Sequence, residues 1–212
     1  MATRILLLGL GFWGSRWYEV IARSEGWTLA GAAGAPQDLA TLGLGGPDGP
    51  PTWTDYRAAI AEAEADAVLI VLPTALHIDA GIRALERGFH VLSEKPLASD
   101  LSGAITLRDA ARRFPQQVYM VNQNYRWRPH NQTLHEAVAD GLIGELGGFH
   151  LEFRQPEFMV GDRPGLEMPL IQDMSIHHFD LMRFLSGVDA VEISARSYRP
   201  PWSHYRGLPA TE

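Results

Sequence analysis

Short apolar runs alternate with longer stretches in which apolar residues recur every three or four positions. The first run, Ile5-Leu6-Leu7-Leu8, has no polar alternation and is cut off by Gly9. Such a run predicts a strand covered on both faces, as in a parallel sheet. Trp13, Trp17, Val20 and Ile21 then fall on one face of a helix over 12–22. The rhythm continues, with strands predicted over 27–33, 67–72, 90–92 and 118–121 and helices over 56–64, 75–87 and 101–113. Gly88 closes one helix, and Ser99-Asp100 offers a cap to the next. The glycine-rich stretch 36–51 reads as a surface loop. Strand alternating with helix predicts an α/β fold, a doubly wound parallel sheet with helices on both faces.

Beyond residue 130 the rhythm changes. A helix over 131–139 stops near Gly141, and 149–153 alternates as a strand with one covered face does. Residues 156–169 are irregular, a helix spans 173–185 and ends at Gly187, and 190–198 reads as a further strand. From Arg199 onward the chain is loop-like, and there is no internal repeat.

Gly9, Gly11 and Gly14 are spaced G-x-G-x-x-G between the first strand and the first helix. Gly9 allows a tight turn, Gly11 lets a pyrophosphate approach the backbone, and Gly14 lets the helix lie close on the strand. The helix start points free N–H groups at the phosphates. The bland alternative is a glycine turn with no ligand; the strand before and helix after favour a dinucleotide. An acid about twenty residues past the glycines would bind a ribose 2′-hydroxyl. That place falls within Ala32-Ala33-Gly34-Ala35, with no acid before Asp38 and no Arg or Lys between Arg23 and Arg57. The missing acid and missing base together point to NADP or to dual use with NAD. In parallel sheets ligands sit beyond the carboxyl ends of the strands. Gly9, Pro73, Glu94-Lys95 and Asn124 all fall there, so one cleft is expected to gather them.

At 212 residues the chain has room for one large domain or one and a half. A net charge of -7 argues against a nucleic-acid partner. The absence of cysteine excludes disulfides, thiolate zinc sites and cysteine nucleophiles, and fits a reducing compartment. The run 5–10 is too short to span a membrane, and no signal-peptide layout precedes it, so the cytoplasm is the expected location.

Five motifs in order resemble the Gfo/Idh/MocA-like oxidoreductases, the family of glucose–fructose oxidoreductase and inositol dehydrogenase. They are Gly9-x-Gly11-x-x-Gly14, Pro73-Thr74-x-x-His77, Glu94-Lys95-Pro96, Asn124-Tyr125-Arg126 and Asp173-x-x-x-His177-x-x-Asp180, and the resemblance covers residues 4 to about 198. It implies a Rossmann domain over 1–123 and, over 124–212, an α/β domain on a mostly antiparallel open sheet, here incomplete. It implies NAD- or NADP-dependent hydride transfer at a hydroxyl or carbonyl carbon of a sugar, cyclitol or related polyol. The cofactor would contact Gly9, Gly11, Phe12, Trp13, Gly14, Leu72, Pro73, Thr74, His77, Glu94 and Lys95. Lys95 and His177 would flank the substrate carbon, with Asp173 orienting the imidazole. Two departures stand out. Pro169-Leu170-Ile171-Gln172 and Ser175 replace glycines usual around the Asp, and only roughly 85 residues follow Trp127. An incomplete sheet leaves an apolar face and edge, so a homo-oligomer formed through that sheet is expected. The alternative to an enzyme is a shortened member that binds nucleotide without catalysis, as a sensor or partner subunit; a weaker one is a fragment of a longer enzyme.

Hydride transfer leaves a hydroxyl proton for a nearby group to remove. Asp173 and His177, four apart, share a face if they share a helix, and a carboxylate there fixes the tautomer and favours the protonated ring. The plain alternative is a capping Asp and an unrelated buried His. Asp180 reads as support for the helix, and a metal site from Asp173, His177, His178 and Asp180 is disfavoured because adjacent helical residues do not face each other. Lys95 at a strand end suits polarisation of the substrate oxygen, or acid–base work if desolvated; the alternative is a solvated surface lysine. Its bond to Pro96 is a candidate cis peptide. Pro73-Thr74 and His77 are expected beside the nicotinamide ribose, with Thr74 also a possible helix cap. Tyr125 and Arg126 either reach substrate hydroxyls or pin the joint between domains. Trp13 and Trp17 are expected to pack inward.

Overall fold

The computed structural model describes residues 1–153 and 170–196. The chain forms two compact units, Met1–Asn122 and Gln123–Glu212.

In the first unit β1 (Thr3–Leu8) leads through α1 (Phe12–Arg23), β2 (Trp27–Ala33), α2 (Pro36–Thr41), β3 (Thr52–Trp53) and α3 (Tyr56–Glu62). The chain goes on to β4 (Ala67–Ile70), a 3₁₀ turn (Thr74–Leu76), α4 (His77–Glu86), β5 (His90–Ser93), α5 (Leu101–Arg112) and β6 (Tyr119–Val121). The strands form one sheet in the order β3-β2-β1-β4-β5-β6, and every neighbouring pair is parallel. This is the doubly wound order whose direction reverses between β1 and β4, the switch point where such sheets bind ligands.

The apolar runs make sense in this sheet. Alternate side chains of a strand point to opposite faces. Leu6 and Leu8 of β1 join Val68 and Ile70 of β4 against Ile60 of α3 and Ala84 and Leu85 of α4. Ile5 and Leu7 join Leu69 on the other face, against Ile21 of α1 with Trp17 and Trp27. Leu6, Leu7 and Leu8 have no exposed surface at all. A strand covered from both sides has no polar positions to alternate, and that is why the run was legible.

The stretch 36–51 is not loop throughout, because Pro36 opens α2 as its first residue. Proline there sacrifices no hydrogen bond, since the first helical N–H lacks a partner anyway. β3, only two residues long, was also missed; Gly34 N–H donates to Trp53 O at 3.0 Å. Asp100 caps α5, accepting from Gly103 N–H at 2.7 Å, and Gly88 takes φ +89° at the end of α4.

The second unit contains a 3₁₀ turn (Asn124–Trp127), α6 (Pro129–Ala139), a π-helical turn (Leu170–Ser175) and α7 (Ile176–Ser186). The helix expected from Asp173 is therefore π-wound in its first turn and α-helical only from Ile176. Gly187 ends α7 in the left-handed region at φ +71°. Residues 149–153 and 190–196, expected as strands, are irregular. Their alternation is real, but a strand needs a neighbour's backbone, and among the described residues of this unit none is paired with them. Val191 and Ile193 are correspondingly exposed. The irregular segment expected over 156–169, the end of the 190–198 strand and the loop from Arg199 lie outside the described residues. Among the described residues no helix is long and apolar enough to cross a membrane.

Candidate functional site

The glycine turn is built by exclusion. Gly9 has φ +91°, and a Cβ there would stand 2.4 Å from Val71 O. A Cβ on Gly14 would stand 2.0 Å from Gly9 O, so α1 rests on the turn itself. Gly11 differs, since a Cβ there would meet nothing within 4 Å. The fold therefore requires glycine at 9 and 14 but not at 11. Gly11 is also the N-cap of α1 and supplies no side-chain cap. Open space over Gly11 and uncapped N–H groups beside it suit the pyrophosphate of a dinucleotide.

Phe12 and Trp13 border this space and are 69% and 51% exposed. Their rings meet edge to face at 5.2 Å. Trp13 thus does not pack inward as expected. It lies in the first turn of α1, beside the carboxyl end of β1, where the sheet no longer covers it. Trp17, one turn on, does pack against the apolar layer. Its indole Nε1–H donates to Glu94 Oε1 at 2.8 Å.

Glu94 follows β5 and also accepts from Asn122 Nδ2 at 2.8 Å, just past β6. One carboxylate thereby ties α1, β5 and β6 together beneath Lys95. The Lys95 side chain is half-buried, and the Lys95–Pro96 peptide is cis.

His77 lies between the turns that follow β4 and β5. It is 1% exposed, with Nε2 2.8 Å from Leu72 O and Nδ1 2.9 Å from Pro96 O. It braces the turn after β4 against the turn after β5 and offers no nitrogen to a ribose. Burial pushes its pKa below the usual histidine value, outweighing the two carbonyls and Glu94, which pull it up. The 3₁₀ turn it follows has Pro73 at its cap position and no side-chain capping bond, so Thr74 does not serve as a cap.

In the second unit His177 is buried. Its Nδ1 lies 2.9 Å from Gln123 Oε1, and its ring stacks on Tyr125 at 4.5 Å and 7°. The Arg128 guanidinium stands 3.5 Å from the Tyr125 ring centroid. Asn131 Nδ2 holds Tyr125 O at 2.7 Å. Arg126 does not reach outward. Its Nε donates to Asp180 Oδ2 at 2.7 Å in a two-pronged pair that holds the 3₁₀ turn to α7. Asp180's hydrogen bond raises the Arg126 pKa. Asp173 is buried in the π-helical turn. His178 faces Tyr125 and Phe153, and burial together with the Arg128 charge lowers its pKa. Among the described residues no three His, Asp and Glu side chains are grouped to hold a metal ion.

The first unit thus gathers Gly9, Gly11, Leu72, Pro73, Glu94 and Lys95 around the carboxyl ends of its strands, and the second gathers Tyr125 and His177. Sequence reading missed Gln123. The available signal was an amide side chain directly after β6, where strand ends carry functional groups.

Residues 3–123 match the family model of the Gfo/Idh/MocA proteins, the oxidoreductase family with an NAD-binding Rossmann fold. The chain belongs to this family. Among similar proteins is the uncharacterized protein y4oX of Sinorhizobium fredii, 28% identical over 98% of this chain and 60% of that protein. An inositol 2-dehydrogenase of Arthrobacter is 28% identical over 91% of this chain and 57% of its own length. The crystal structure of myo-inositol 2-dehydrogenase from Lactobacillus plantarum superposes with a TM-score of 0.72 at 25% identity, over 88% of this chain and 57% of that one. The chain thus spans less than two thirds of the length of these relatives.

Proposed function

We propose that the protein is an NAD(P)-dependent dehydrogenase acting on a hydroxyl-bearing carbon of a sugar, cyclitol or related polyol. The observation that carries this reading is the Glu94-Lys95-Pro96 turn at the carboxyl end of β5, on the same edge as the glycine turn of β1. The inositol 2-dehydrogenases among the relatives support the polyol class.

In this reading Gly9, Gly11 and the start of α1, with Phe12 and Trp13 beside them, would hold the pyrophosphate of the dinucleotide. Leu72, Pro73, Thr74 and Glu94 border the nicotinamide end. A bound nicotinamide supplies the hydride acceptor. As the C–H electron pair leaves, the hydroxyl proton passes to His177 Nε2 and the C=O bond forms. Lys95 donates a hydrogen bond to the substrate oxygen and offsets negative charge there. Asp173 favours the protonated imidazole by its charge. Tyr125 bounds the substrate beside His177. Arg126 acts on the site by holding the turn that carries Tyr125. With no acid between the end of β2 and Asp38 and no Arg or Lys before Arg57, NAD and NADP bind within about tenfold of each other, a difference of about 1.4 kcal/mol. A second copy of the chain covers the exposed Val188, Val191 and Ile193 of the second unit.

The test is a panel of inositols and sugars offered with NAD and NADP. Lys95→Ala and His177→Ala are expected to abolish turnover and leave nucleotide affinity within about threefold, since neither removes a phosphate contact. Equal loss of binding and turnover would overturn the roles. Tight nucleotide binding without hydride exchange in the unaltered chain would assign a non-catalytic nucleotide-binding role instead.

A further inference from the structure

We infer that Gln123 sets the tautomer of His177 and so makes Nε2 the proton-accepting atom. The inference rests on the proposed role of His177 as proton acceptor. A neutral imidazole carries one N–H and one lone pair, and only the nitrogen bearing the lone pair takes a proton. A base that cannot choose between its nitrogens presents the wrong one part of the time.

Gln123 Oε1 lies 2.9 Å from His177 Nδ1. A carbonyl oxygen only accepts, so Nδ1 carries the hydrogen and Nε2 is left with the lone pair. The reverse arrangement, with the Gln123 amide N–H₂ donating to Nδ1, would protonate Nε2 and disable it as a base. The surroundings hold the pairing. His177 is buried, its ring is pinned flat against Tyr125, and the Gln123 backbone O accepts from Arg126 N–H at 3.2 Å. Arg126 is itself fixed to Asp180 on α7, the helix that carries His177. The turn bearing Gln123 and the helix bearing His177 are thus tied at two points. A neutral amide partner also has a chemical consequence. It fixes the tautomer without adding a second negative charge that would hold the proton on the ring after transfer. Gln123 is therefore a positioning residue, acting through His177.

The experiment reads the tautomer directly, in the intact chain and without substrate. Long-range ¹H–¹⁵N correlation spectra distinguish Nδ1–H from Nε2–H imidazole, and the His177 signal is identified by its loss in His177→Asn. The unaltered protein is expected to show Nδ1–H at His177. Gln123→Met, similar in size but without an acceptor, is expected to make Nε2–H the major form and to lower turnover by about 10–100-fold. Gln123→Glu, which restores an acceptor, is expected to return Nδ1–H. Nε2–H as the major form in the unaltered protein would overturn the inference, whatever the variants do. So would Nδ1–H persisting in a folded Gln123→Met protein. If Gln123→Met does not fold, Gln123→Glu decides together with the unaltered protein, since loss of Nδ1–H in it overturns the inference. An Nδ1–H result with no hydride transfer to any polyol leaves the tautomer assignment standing and removes the dehydrogenase reading, so the two failures are distinct.

Discussion

Gly11 separates a structural requirement from a functional one better than any other residue here. Gly9 and Gly14 are dictated by neighbouring backbone, whereas Gly11 faces open space. Gly11→Ala is expected to change unfolding free energy by no more than about 1 kcal/mol, the scale of a cap exchange. It should nevertheless cut dinucleotide affinity by at least about tenfold, or 1.4 kcal/mol, measured by calorimetric titration. Gly9→Ala forces a side chain into φ +91° against Val71 O. It should cost about 1–3 kcal/mol from the backbone conformation alone, before the clash is counted. His77 makes a prediction with a definite sign. Its folded-state pKa lies below the unfolded value of 6.5. Between those two values the unfolded chain binds more protons, so stability is full above pH 6.5 and falls as the pH drops below it. The slope is at most about 1.4 kcal/mol per pH unit from this residue. His178 is shifted the same way. Urea midpoints at pH 7.5 and 5.5, followed by circular dichroism, should show the fall, and His77→Gln should reduce it.

Among the elements, α1 is tied to the sheet beyond its apolar face. Through Trp17 and Glu94 it is hydrogen-bonded to the end of β5, where Lys95 sits. Trp17→Phe keeps the ring against the sheet and removes only the Nε1–H donor. The loss of a bond to this half-buried carboxylate is expected to cost about 1.5–3 kcal/mol. Amide hydrogen exchange in residues 94–98 should quicken, while the core strands β1 and β4 keep their protection. Unchanged exchange in that turn would mean that Asn122 and the Lys95 backbone N–H hold the carboxylate without the indole. The elements also show where pattern reading works. β1 and β4 were found because both faces are buried, and α5 because Asp100 is a strong cap. β3 escaped because two residues carry no periodicity, and α2 because its glycine-rich surroundings hid a proline at the first helical position. The π-helical turn before α7 has no signature in side-chain spacing at all, since one turn differs from an α-helix only in which carbonyl each N–H meets.

Over the whole molecule the two units differ in what their described residues form. The first has a six-stranded sheet with two apolar layers. The second holds its helices around Tyr125, Arg126 and His177 and leaves Val188, Val191 and Ile193 exposed. Exposed aliphatic surface of this kind favours association, and light scattering at micromolar concentration is expected to give at least a dimer. A monomer there would remove the proposed covering by a second copy.

Local chemistry was written in the chain. A run of leucines buried on both faces, three glycines with separate duties and an alternating order of strand and helix suffice for a doubly wound sheet, because each depends on residues near in sequence. The partners of the candidate site's side chains were not written there. Trp17 meets Glu94 across 77 positions, and Gln123 meets His177 across 54. His77 meets Leu72 O and Pro96 O, the second across 19 positions. Periodicity reports that a side chain is covered, but which atom covers it depends on strand order, register and the crossing of helices, and those exist only once the chain has folded.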